Sequence, residues 1–319
     1  MLQGQTEARQ IIANNGDMNS APAPFQTTPA AHKLIVFLHV PKTAGTTLNT
    51  IFRDIYGTPA TCKVMMRGMS LVAPRWPWLP QQLISAGSLR RFQQRLRSDQ
   101  GLRIVHGHFD MSLAKHLPAD ADYITLLRDP IERAISHYHH FRRRQQDNLH
   151  PLACQHSLSD WVSHCRLIEM DNGQTRRLAG ASRLPIGQVD GQTFALAKAN
   201  LRKFSLVGLS EQFADFQLLL QARYGWPCRR YDRQNVGRRP AGSELDQETL
   251  RTLISYNQWD IELYAYARSL FEQALSQIDL NAERTRLANA PLISTPAAPR
   301  PGALPAGETH LLEPRGFAA

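Results

Sequence analysis

Cysteine is scarce in this chain. Only four occur among 319 residues, and they are scattered, with no two of them separated by just two residues: Cys62, Cys154, Cys165 and Cys228. A zinc ribbon and a dense disulfide framework both need closer spacing, so neither is indicated. Reduced thiols are the simplest interpretation, and one or two disulfides remain compatible with the spacing.

Long apolar runs are also absent. The longest candidate, residues 34–38, is far shorter than the roughly 18 residues that span a bilayer. The polar N-terminus lacks the basic stretch followed by an apolar stretch that marks a signal peptide. The sequence therefore predicts no integral membrane segment.

Acidic residues are outnumbered by basic ones. The chain has 37 lysines and arginines against 27 aspartates and glutamates, which gives a formal net charge of +10. This excess favours anionic partners, and phosphate-bearing cofactors, acidic sugars and nucleic acid all qualify. Hydrophobic residues make up 42% of the chain, so we expect an ordinary globular protein with a buried core.

The two ends differ from the middle in composition. Residues 1–31 are polar and rich in alanine and proline, residues 286–319 are rich in proline, and both are predicted to be disordered tails. Residues 32–285 are predicted to form the folded domain, in which strand patterns alternate with helical ones. That alternation predicts an α/β fold with a central parallel sheet flanked by helices.

Hydrophobic periodicity places the individual elements. Strands are predicted at residues 33–39, 102–106, 123–127 and 204–209. Helices are predicted at residues 46–56, 130–144, 158–167, 193–202, 211–224 and 245–278, the last with a break near Asn257. Residues 58–101 stand apart from this scaffold because they carry Trp76, Trp78 and seven basic residues against one acid. A solvated helix face with a loop and a basic wall for an anionic acceptor both fit them.

The strongest local signal is the stretch His-Val-Pro-Lys-Thr-Ala-Gly-Thr-Thr at residues 39–47. A strand that ends in a small-residue loop and opens a helix directs backbone N–H groups and the positive end of the helix dipole at one place, which suits a phosphate or a sulfate. Lys42 adds a charge, and Thr46 and Thr47 add hydroxyl donors. The loop is not a Walker A motif, because Lys42 precedes Gly45 instead of following a second glycine.

A second signal lies at residues 127–138, Leu-Arg-Asp-Pro-Ile-Glu-Arg-Ala-Ile-Ser-His-Tyr. Asp129 is a natural N-cap and Pro130 suits the first helical position. Arg128 leaves the strand where its guanidinium can bind a phosphate through two hydrogen bonds, and Ser136 could reach the same anion from the helix. Taken alone, the segment is equally typical of an ordinary helix start.

Together the two motifs resemble the donor-binding elements of sulfotransferases that use 3′-phosphoadenosine 5′-phosphosulfate (PAPS). In that superfamily a Pro-Lys-Thr-x-Gly-Thr/Ser-Thr/Ser loop binds the 5′-phosphosulfate, and an Arg-Asp-Pro-x-x-Arg-x-x-Ser-x-Tyr segment binds the 3′-phosphate. Every one of those positions is present here. The resemblance looks closest to the branch with the uronyl and heparan-sulfate 2-O-sulfotransferases and their bacterial relatives, and it covers roughly residues 34–278.

The resemblance implies a P-loop-like sulfotransferase fold, PAPS as the donor and no metal. It implies contacts with the phosphosulfate from Pro41, Lys42, Thr43, Ala44, Gly45, Thr46 and Thr47. It implies contacts with the 3′-phosphate from Arg128 and Ser136. The loop around Arg238 occupies the place where the family closes a basic loop over the nucleotide, and a solvated basic turn fits it equally well.

The pair His106 and His108 flanks a glycine at the end of a predicted strand, so both imidazoles face one side. A zinc pair and a purely structural pair are both possible, but a histidine with a pKa near 6.5 suits a general base that takes a proton from an acceptor hydroxyl. By resemblance to the 2-O-sulfotransferases, His108 is the expected base and His106 its partner.

The acceptor side of the site is less defined. The stretch Asn-Gly-Gln-Thr-Arg resembles one near the acceptor cleft of bacterial relatives and offers Asn172, Gln174 and Arg176, although a plain turn also fits. We expect a sulfotransferase that acts on a hydroxyl of an anionic carbohydrate, with lipid and peptide hydroxyls left open. The alternatives are a nucleotide-dependent kinase with a divergent phosphate loop and a basic nucleic-acid-binding protein, for which no typical motif is present. Because Golgi members of the family carry an N-terminal membrane anchor, its absence here suggests a bacterial cytoplasmic enzyme or a truncated form of a longer protein. No nucleic-acid partner is expected.

Overall fold

The computed structural model describes residues 33–65, 86–98, 101–231 and 245–293. Its centre is a five-stranded sheet in which every neighbouring pair is parallel. The strands, in chain order, are β1 (Ile35–Leu38), β2 (Thr61–Met65), β3 (Ile104–His108), β4 (Asp122–Leu127) and β5 (Leu206–Leu209). Their spatial order is β2-β3-β1-β4-β5. This arrangement confirms the predicted α/β fold with a central parallel sheet.

Helices connect and cover the strands. In chain order they are α1 (Gly45–Tyr56), α2 (Ala86–Ser98), α3 (Pro130–Arg143), α4 (His150–Gln155), α5 (Leu158–His164), α6 (Gly173–Ala179), α7 (Gly191–Leu201), α8 (Phe213–Tyr224), α9 (Gln247–Leu275) and α10 (Leu280–Ala288). Short 3₁₀ turns lie at Met111–His116, Ile168–Met170 and Ser210–Gln212. The break predicted in the long C-terminal helix is present, since Asn257 has non-helical dihedral angles within α9.

Strand β1, at the centre of the sheet, and strand β5, at one edge, are buried along their whole length. All four residues of β1 and of β5 are buried, which is typical of a parallel sheet covered by helices on both faces. A continuous apolar core joins the sheet to the helices packed around it. The strands therefore form the buried core of the domain, and polar side chains lie where the strands end.

Residues 58–101 were expected to stand apart from the α/β scaffold, but part of this segment belongs to the central sheet. Residues Thr61–Met65 instead form β2, the edge strand beside β3. Cys62 and Val64 are buried while Lys63 between them is exposed, so the strand has the alternation of a sheet edge. The two tryptophans of this segment, Trp76 and Trp78, lie outside the described residues.

Regular structure continues past residue 285, where the folded domain was expected to end. Helix α10 ends at Ala288, and a short strand, β7 (Leu292–Ile293), pairs in parallel with β6 (Arg230–Tyr231). The backbone N–H of Arg230 donates to the Pro291 carbonyl at 3.0 Å and secures this segment. A two-residue strand is too short to produce a period in the sequence, which is why composition alone missed it. The N-terminal tail predicted at residues 1–31 lies outside the described residues.

The strand order places the functional edge of the sheet. From β1 the chain moves to one side, to β2 and β3, and then crosses to the other side, to β4 and β5. The carboxyl ends of β3, β1 and β4 are thus adjacent at the point where the direction of winding reverses. In open α/β sheets, ligands bind outside the strand ends at such a point.

Candidate active site

The loop between β1 and α1 is shaped to bind an anion. Lys42 and Ala44 adopt left-handed dihedral angles, with φ of 70° and 65°, although neither is glycine. The Thr43 hydroxyl donates to the Val40 carbonyl at 2.8 Å and closes the loop on itself. Ala44 is the N-cap of α1 and supplies no side-chain cap, and the first turn of α1 contains no acid. The first amides of a helix have no partner within it, so this helix start fits a phosphate or a sulfate.

Exposure alternates along this predicted donor loop. Ala44 and Thr46 are exposed, Pro41 and Lys42 are partly buried, and Thr43, Gly45 and Thr47 are buried. Gly45 is required by packing, because a Cβ atom there would lie 2.0 Å from Nε2 of His39. The loop can therefore offer the hydroxyl of Thr46 to a ligand, while the buried threonines serve the loop itself.

The two predicted donor-binding motifs lie at two strand-to-helix corners, the first between β1 and α1 and the second between β4 and α3, and Arg128 connects the second corner to the first. It follows β4 directly, and its Nη1 donates to the carbonyl oxygen of Lys42 at 3.1 Å. Two carboxylates balance its charge, with Glu132 3.7 Å from Nη2 and Glu211 3.8 Å from Nε. The two motifs that sequence analysis treated as one donor site thus meet in the fold.

Helix α3 begins as the sequence predicts. The Asp129 carboxylate accepts hydrogen bonds from the backbone N–H groups of Ile131 and Glu132, both at 3.0 Å, and Pro130 is the first helical residue. Ser136 lies two turns along this helix and is buried. Asp129 therefore behaves as in an ordinary helix start, and this leaves Arg128 to act on the other corner.

His108 lies at the end of β3 beside the loop. Its Nδ1 is 3.0 Å from the carbonyl oxygen of His39, and the two imidazole rings are 4.3 Å apart between centroids. A carbonyl only accepts hydrogen bonds, so Nδ1 carries the proton and Nε2 keeps its lone pair. Burial lowers the pKa of His108 to about 4, and the positive charge of Arg177 contributes to this shift. The side chain is therefore a neutral imidazole with an available acceptor nitrogen.

His106 lies deeper in the structure. Its exposed fraction is 8%, and its ring faces Phe52 of α1 at a centroid distance of 6.2 Å. Burial lowers its pKa to about 4, with Lys63 and Arg53 adding to the effect. The group that His108 bonds is the backbone of His39, so the structure gives His106 no part in orienting the base.

The predicted acceptor-binding residues lie inside the fold. Asn172, Gln174 and Arg176 are 4%, 0% and 1% exposed. The Asn172 Oδ1 accepts from the backbone N–H groups of Trp259 and Asp260, at 2.9 and 3.2 Å, where the kink in α9 frees them. Asn172 is therefore a cap for the second half of α9, and the structure does not present it to an acceptor.

Arg176 is likewise committed to its own chain. Its guanidinium forms an ion pair with Asp171 and donates to the carbonyl oxygens of Leu184 at 2.5 Å and Pro185 at 2.8 Å. These bonds fix the loop that follows α6, so the predicted pairing of Arg176 with an acidic acceptor is not supported. Arg238, predicted to close over the nucleotide, lies outside the described residues.

A buried charge network behind His108 has no counterpart in the sequence predictions. Arg177 donates through Nη1 to the carbonyl oxygen of Phe109 at 3.2 Å and forms an ion pair with Glu169. Glu169 also pairs with Arg133 of α3 at 3.2 Å. No sequence pattern marks such a network, because its members come from three separate segments. His39 was missed for the same reason, since only the parallel register of β1 and β3 brings it beside His108.

Two other features, a metal-binding cluster and a membrane-spanning helix, were sought among the described residues. Within ranges 33–65, 86–98, 101–231 and 245–293, no three histidine, cysteine or acidic side chains form a cluster suited to a metal ion. In the same part of the chain, no helix has the length and apolar character needed to cross a membrane. The expectation that the reaction needs no metal stays a prediction.

These features define a class. A parallel α/β sheet carries an anion-binding loop, a second cationic corner and a neutral histidine at one edge, as expected of a group-transfer protein with an anionic donor. The chain belongs to the sulfotransferase family, since a model of that family matches residues 26–267. This match confirms the family indicated by the two sequence motifs.

Curated relatives agree with this assignment. The chain is 29% identical over 276 residues to human heparan-sulfate 6-O-sulfotransferase 1, a match that covers 75% of this chain and 66% of the relative. It is also 29% identical to zebrafish (Danio rerio) heparan-sulfate 6-O-sulfotransferase 2, where 75% of this chain and 58% of the relative are covered. The chain thus spans less than two thirds of the length of these relatives. Both are named for 6-O-sulfation, whereas the motifs had suggested the 2-O branch of the same family.

One solved structure has a low similarity to this chain. A sulfotransferase from Alicyclobacillus acidocaldarius is 16% identical, and the match covers 80% of this chain and 100% of that chain with a TM-score of 0.36. This similarity is too low to bear on the geometry of the site.

Proposed function

We propose that this protein is a PAPS-dependent O-sulfotransferase that modifies a hydroxyl of an anionic carbohydrate. The observation that carries the proposal is the hydrogen bond from Arg128 to the Lys42 carbonyl, because it brings two cationic strand-to-helix corners into one place. PAPS carries a phosphosulfate on the 5′ position and a phosphate on the 3′ position of its adenosine, so its two anionic groups need two such corners.

The residues present fit that donor. The start of α1 has no side-chain cap and no acid in its first turn, so its amides suit the 5′-phosphosulfate. Arg128 and Ser136 are the residues proposed to hold the 3′-phosphate, and Arg128 lies between two carboxylates, Glu132 and Glu211, that orient its guanidinium. The donor supplies the sulfuryl group, and the protein supplies position and charge stabilisation.

His108 is proposed to accept the proton of the acceptor hydroxyl. The oxygen of that hydroxyl forms a bond to sulfur, the bond from sulfur to the 5′-phosphate oxygen breaks, and the hydroxyl proton moves to Nε2 of His108. The bond of Nδ1 to the His39 carbonyl fixes the ring for this step. Bound phosphate groups nearby would raise the low pKa of His108, because an opposite charge favours the imidazolium.

The carbohydrate acceptor is proposed from charge and from the relatives. The net charge of +10 favours an anionic polymer, and the curated relatives are named for sulfation of heparan sulfate. A carboxylated or sulfated polysaccharide is therefore the first acceptor to test. Cytoplasmic localisation and the absence of nucleic-acid binding stay predictions.

Two measurements test the proposal. Titration with adenosine 3′,5′-bisphosphate, ATP and NADPH should show much tighter binding of the first than of the other two, and ³⁵S-labelled PAPS should label desulfated heparin but not an uncharged glucan. Magnesium-dependent ATP turnover without sulfate transfer would instead establish the kinase alternative.

A variant of the loop tests which group stabilises the transition state. Lys42→Ala should reduce kcat by about 10²–10³, since the loss of one transition-state donor has an effect of that size. The exposed Arg251, which lies on α9, provides a control of equal charge, and Arg251→Ala should leave kcat unchanged. A Lys42→Ala protein with normal turnover would exclude the proposed role of the lysine.

A further inference from the structure

Gln174 makes an unusual pair of contacts with the backbone of Arg128. Its Oε1 accepts from the Arg128 N–H at 3.0 Å, and its Nε2 donates to the Arg128 carbonyl at 2.8 Å. The last pair in the β4–β5 ladder is Leu127 with Leu209, so Arg128 is the first residue without a strand partner in that ladder. The buried carboxamide of Gln174 takes the place of that partner, because it offers one donor and one acceptor as a peptide group does.

Gln174 is itself held from the opposite side. Its backbone N–H donates to Asp260 at 3.0 Å, and the N–H of Thr175 donates to the same carboxylate at 2.7 Å. Asp260 is fully buried, and Asn172 in turn caps the helix segment that carries it. Helices α6 and α9 therefore cap each other, and their junction fixes the carboxamide that contacts Arg128.

The position of Arg128 matters because its guanidinium links the two cationic corners. The side chain of Arg128 is 15% exposed, and its Nη1 contacts the Lys42 carbonyl at 3.1 Å. A rotation of the Arg128 backbone would move this guanidinium away from the loop. Holding both backbone groups of Arg128 removes that freedom before a ligand binds, which lowers the entropy lost on binding.

This inference rests on the proposed function. We propose that Gln174 is a positioning residue for recognition of the 3′-phosphate, acting through the backbone of Arg128 and not by contact with the acceptor. Its loss should weaken ligands that carry a 3′-phosphate and leave ligands without one almost unaffected. A purely structural glutamine would instead alter stability and affect both kinds of ligand alike.

The test compares adenosine 3′,5′-bisphosphate with adenosine 5′-monophosphate, which lacks the 3′-phosphate. The preference for the bisphosphate, expressed as the ratio of the two affinities, is measured by competition titration in the wild-type protein and in Gln174→Leu. The matched control is Asn200→Leu, because Asn200 is also a buried carboxamide that bonds α6, through the Leu178 carbonyl at 2.8 Å, without touching Arg128.

Gln174→Leu should reduce this preference by about tenfold. This is the expected effect when the displaced Arg128 side chain loses one hydrogen bond to the charged 3′-phosphate. Asn200→Leu should keep the wild-type preference even if its melting temperature falls. If Gln174→Leu does not fold, Gln174→Glu serves in its place, since it keeps the shape and the acceptor oxygen but sets a carboxylate against the Arg128 carbonyl. An unchanged preference in a folded Gln174 variant would overturn the positioning role alone, whereas a wild-type protein that does not distinguish the two nucleotides would overturn the proposed function.

Discussion

The bond between His108 and the backbone of His39 determines which nitrogen of the imidazole can take a proton. Since Nδ1 donates to a carbonyl 3.0 Å away, Nε2 is the acceptor. His108→Gln can keep a donor toward that carbonyl but cannot act as a base at neutral pH. We expect kcat to fall by about 10²–10⁴, the usual contribution of a general base, with binding of adenosine 3′,5′-bisphosphate unchanged.

His106→Phe is the comparison for this prediction. The ring of His106 already packs against Phe52, so phenylalanine suits its surroundings and should preserve turnover. Steady-state kinetics with labelled PAPS measure both variants. Normal turnover in His108→Gln together with a loss in His106→Phe would reverse the assignment of the base.

Gly107, between the two histidines, is required by a close approach of two strands. Its φ is 144°, and a Cβ atom there would lie 1.8 Å from the Val64 carbonyl oxygen of β2. Gly107→Ala should therefore destabilise the protein by about 2–4 kcal/mol, from backbone strain and from the clash with a strand. Urea unfolding measures this change.

A comparison with Gly187 separates backbone strain from the steric clash with β2. It also has a positive φ, of 78°, but a Cβ atom at this position would have no neighbour within 4 Å. Gly187→Ala should therefore lose only about 1 kcal/mol, the strain of a left-handed alanine. Equal losses at the two glycines would show that the contact with β2 contributes nothing.

Some residues of the candidate site could be predicted from the sequence, whereas the contacts of others could not. The loop at residues 41–47, Arg128 and His108 could be proposed from the sequence because each belongs to a short local motif, and the structure brings them together at one edge of the sheet. Gln174 and Arg176 were assigned to the acceptor because their stretch resembles one near the acceptor cleft of bacterial relatives. Their partners, Asp260 and the carbonyl of Pro185 among them, are distant in sequence or formed by the backbone, so no pattern reveals them.

Between helices, the reciprocal caps of α6 and α9 give a prediction of stability. Asn172 has a left-handed φ of 50° and supplies the acceptor for two N–H groups of α9. Asn172→Gly keeps the backbone geometry but leaves two N–H groups of α9 without their acceptor, so it should lose about 1–3 kcal/mol. Asn172→Ala should lose about 1 kcal/mol more, because alanine is strained in this conformation.

Chemical unfolding of the two Asn172 variants distinguishes these contributions. A glycine variant as stable as the wild type would show that the cap on α9 has no energetic role. At this level the sequence predicted the break near Asn257 but not its partner, because a helix end is visible in the chain whereas the side chain that caps it comes from another element.

Four of the five strands of the central sheet were predicted from the sequence, and one was missed. Strands β1, β3, β4 and β5 correspond to apolar runs in the chain, although β3 extends two residues further than expected and so includes His108. Strand β2 was missed because its alternation is short: the buried Cys62 and Val64 flank the exposed Lys63, and so brief a pattern at a sheet edge gives a weak signal. The order of the strands comes from packing and cannot be deduced from local patterns.

Across the molecule, buried histidines should make stability depend on pH. Burial lowers the pKa of His39 and His137 well below 6.5 and lowers that of His106 and His108 to about 4. The unfolded chain takes up protons near pH 6.5 while the folded chain does not, so the unfolded state binds more protons between these values. Stability should therefore be complete above about pH 6.5 and should fall as the pH decreases toward 4.

His106→Phe isolates one part of this effect. A pKa of about 4 in the folded state against 6.5 in the unfolded state corresponds to about 2 kcal/mol of stability lost between pH 7 and pH 5. The difference between unfolding free energies at these two pH values should therefore shrink by about 2 kcal/mol in His106→Phe. If His106→Phe retains the full wild-type pH dependence, the buried imidazole of His106 is not a source of acid sensitivity, and the remaining buried histidines must account for it.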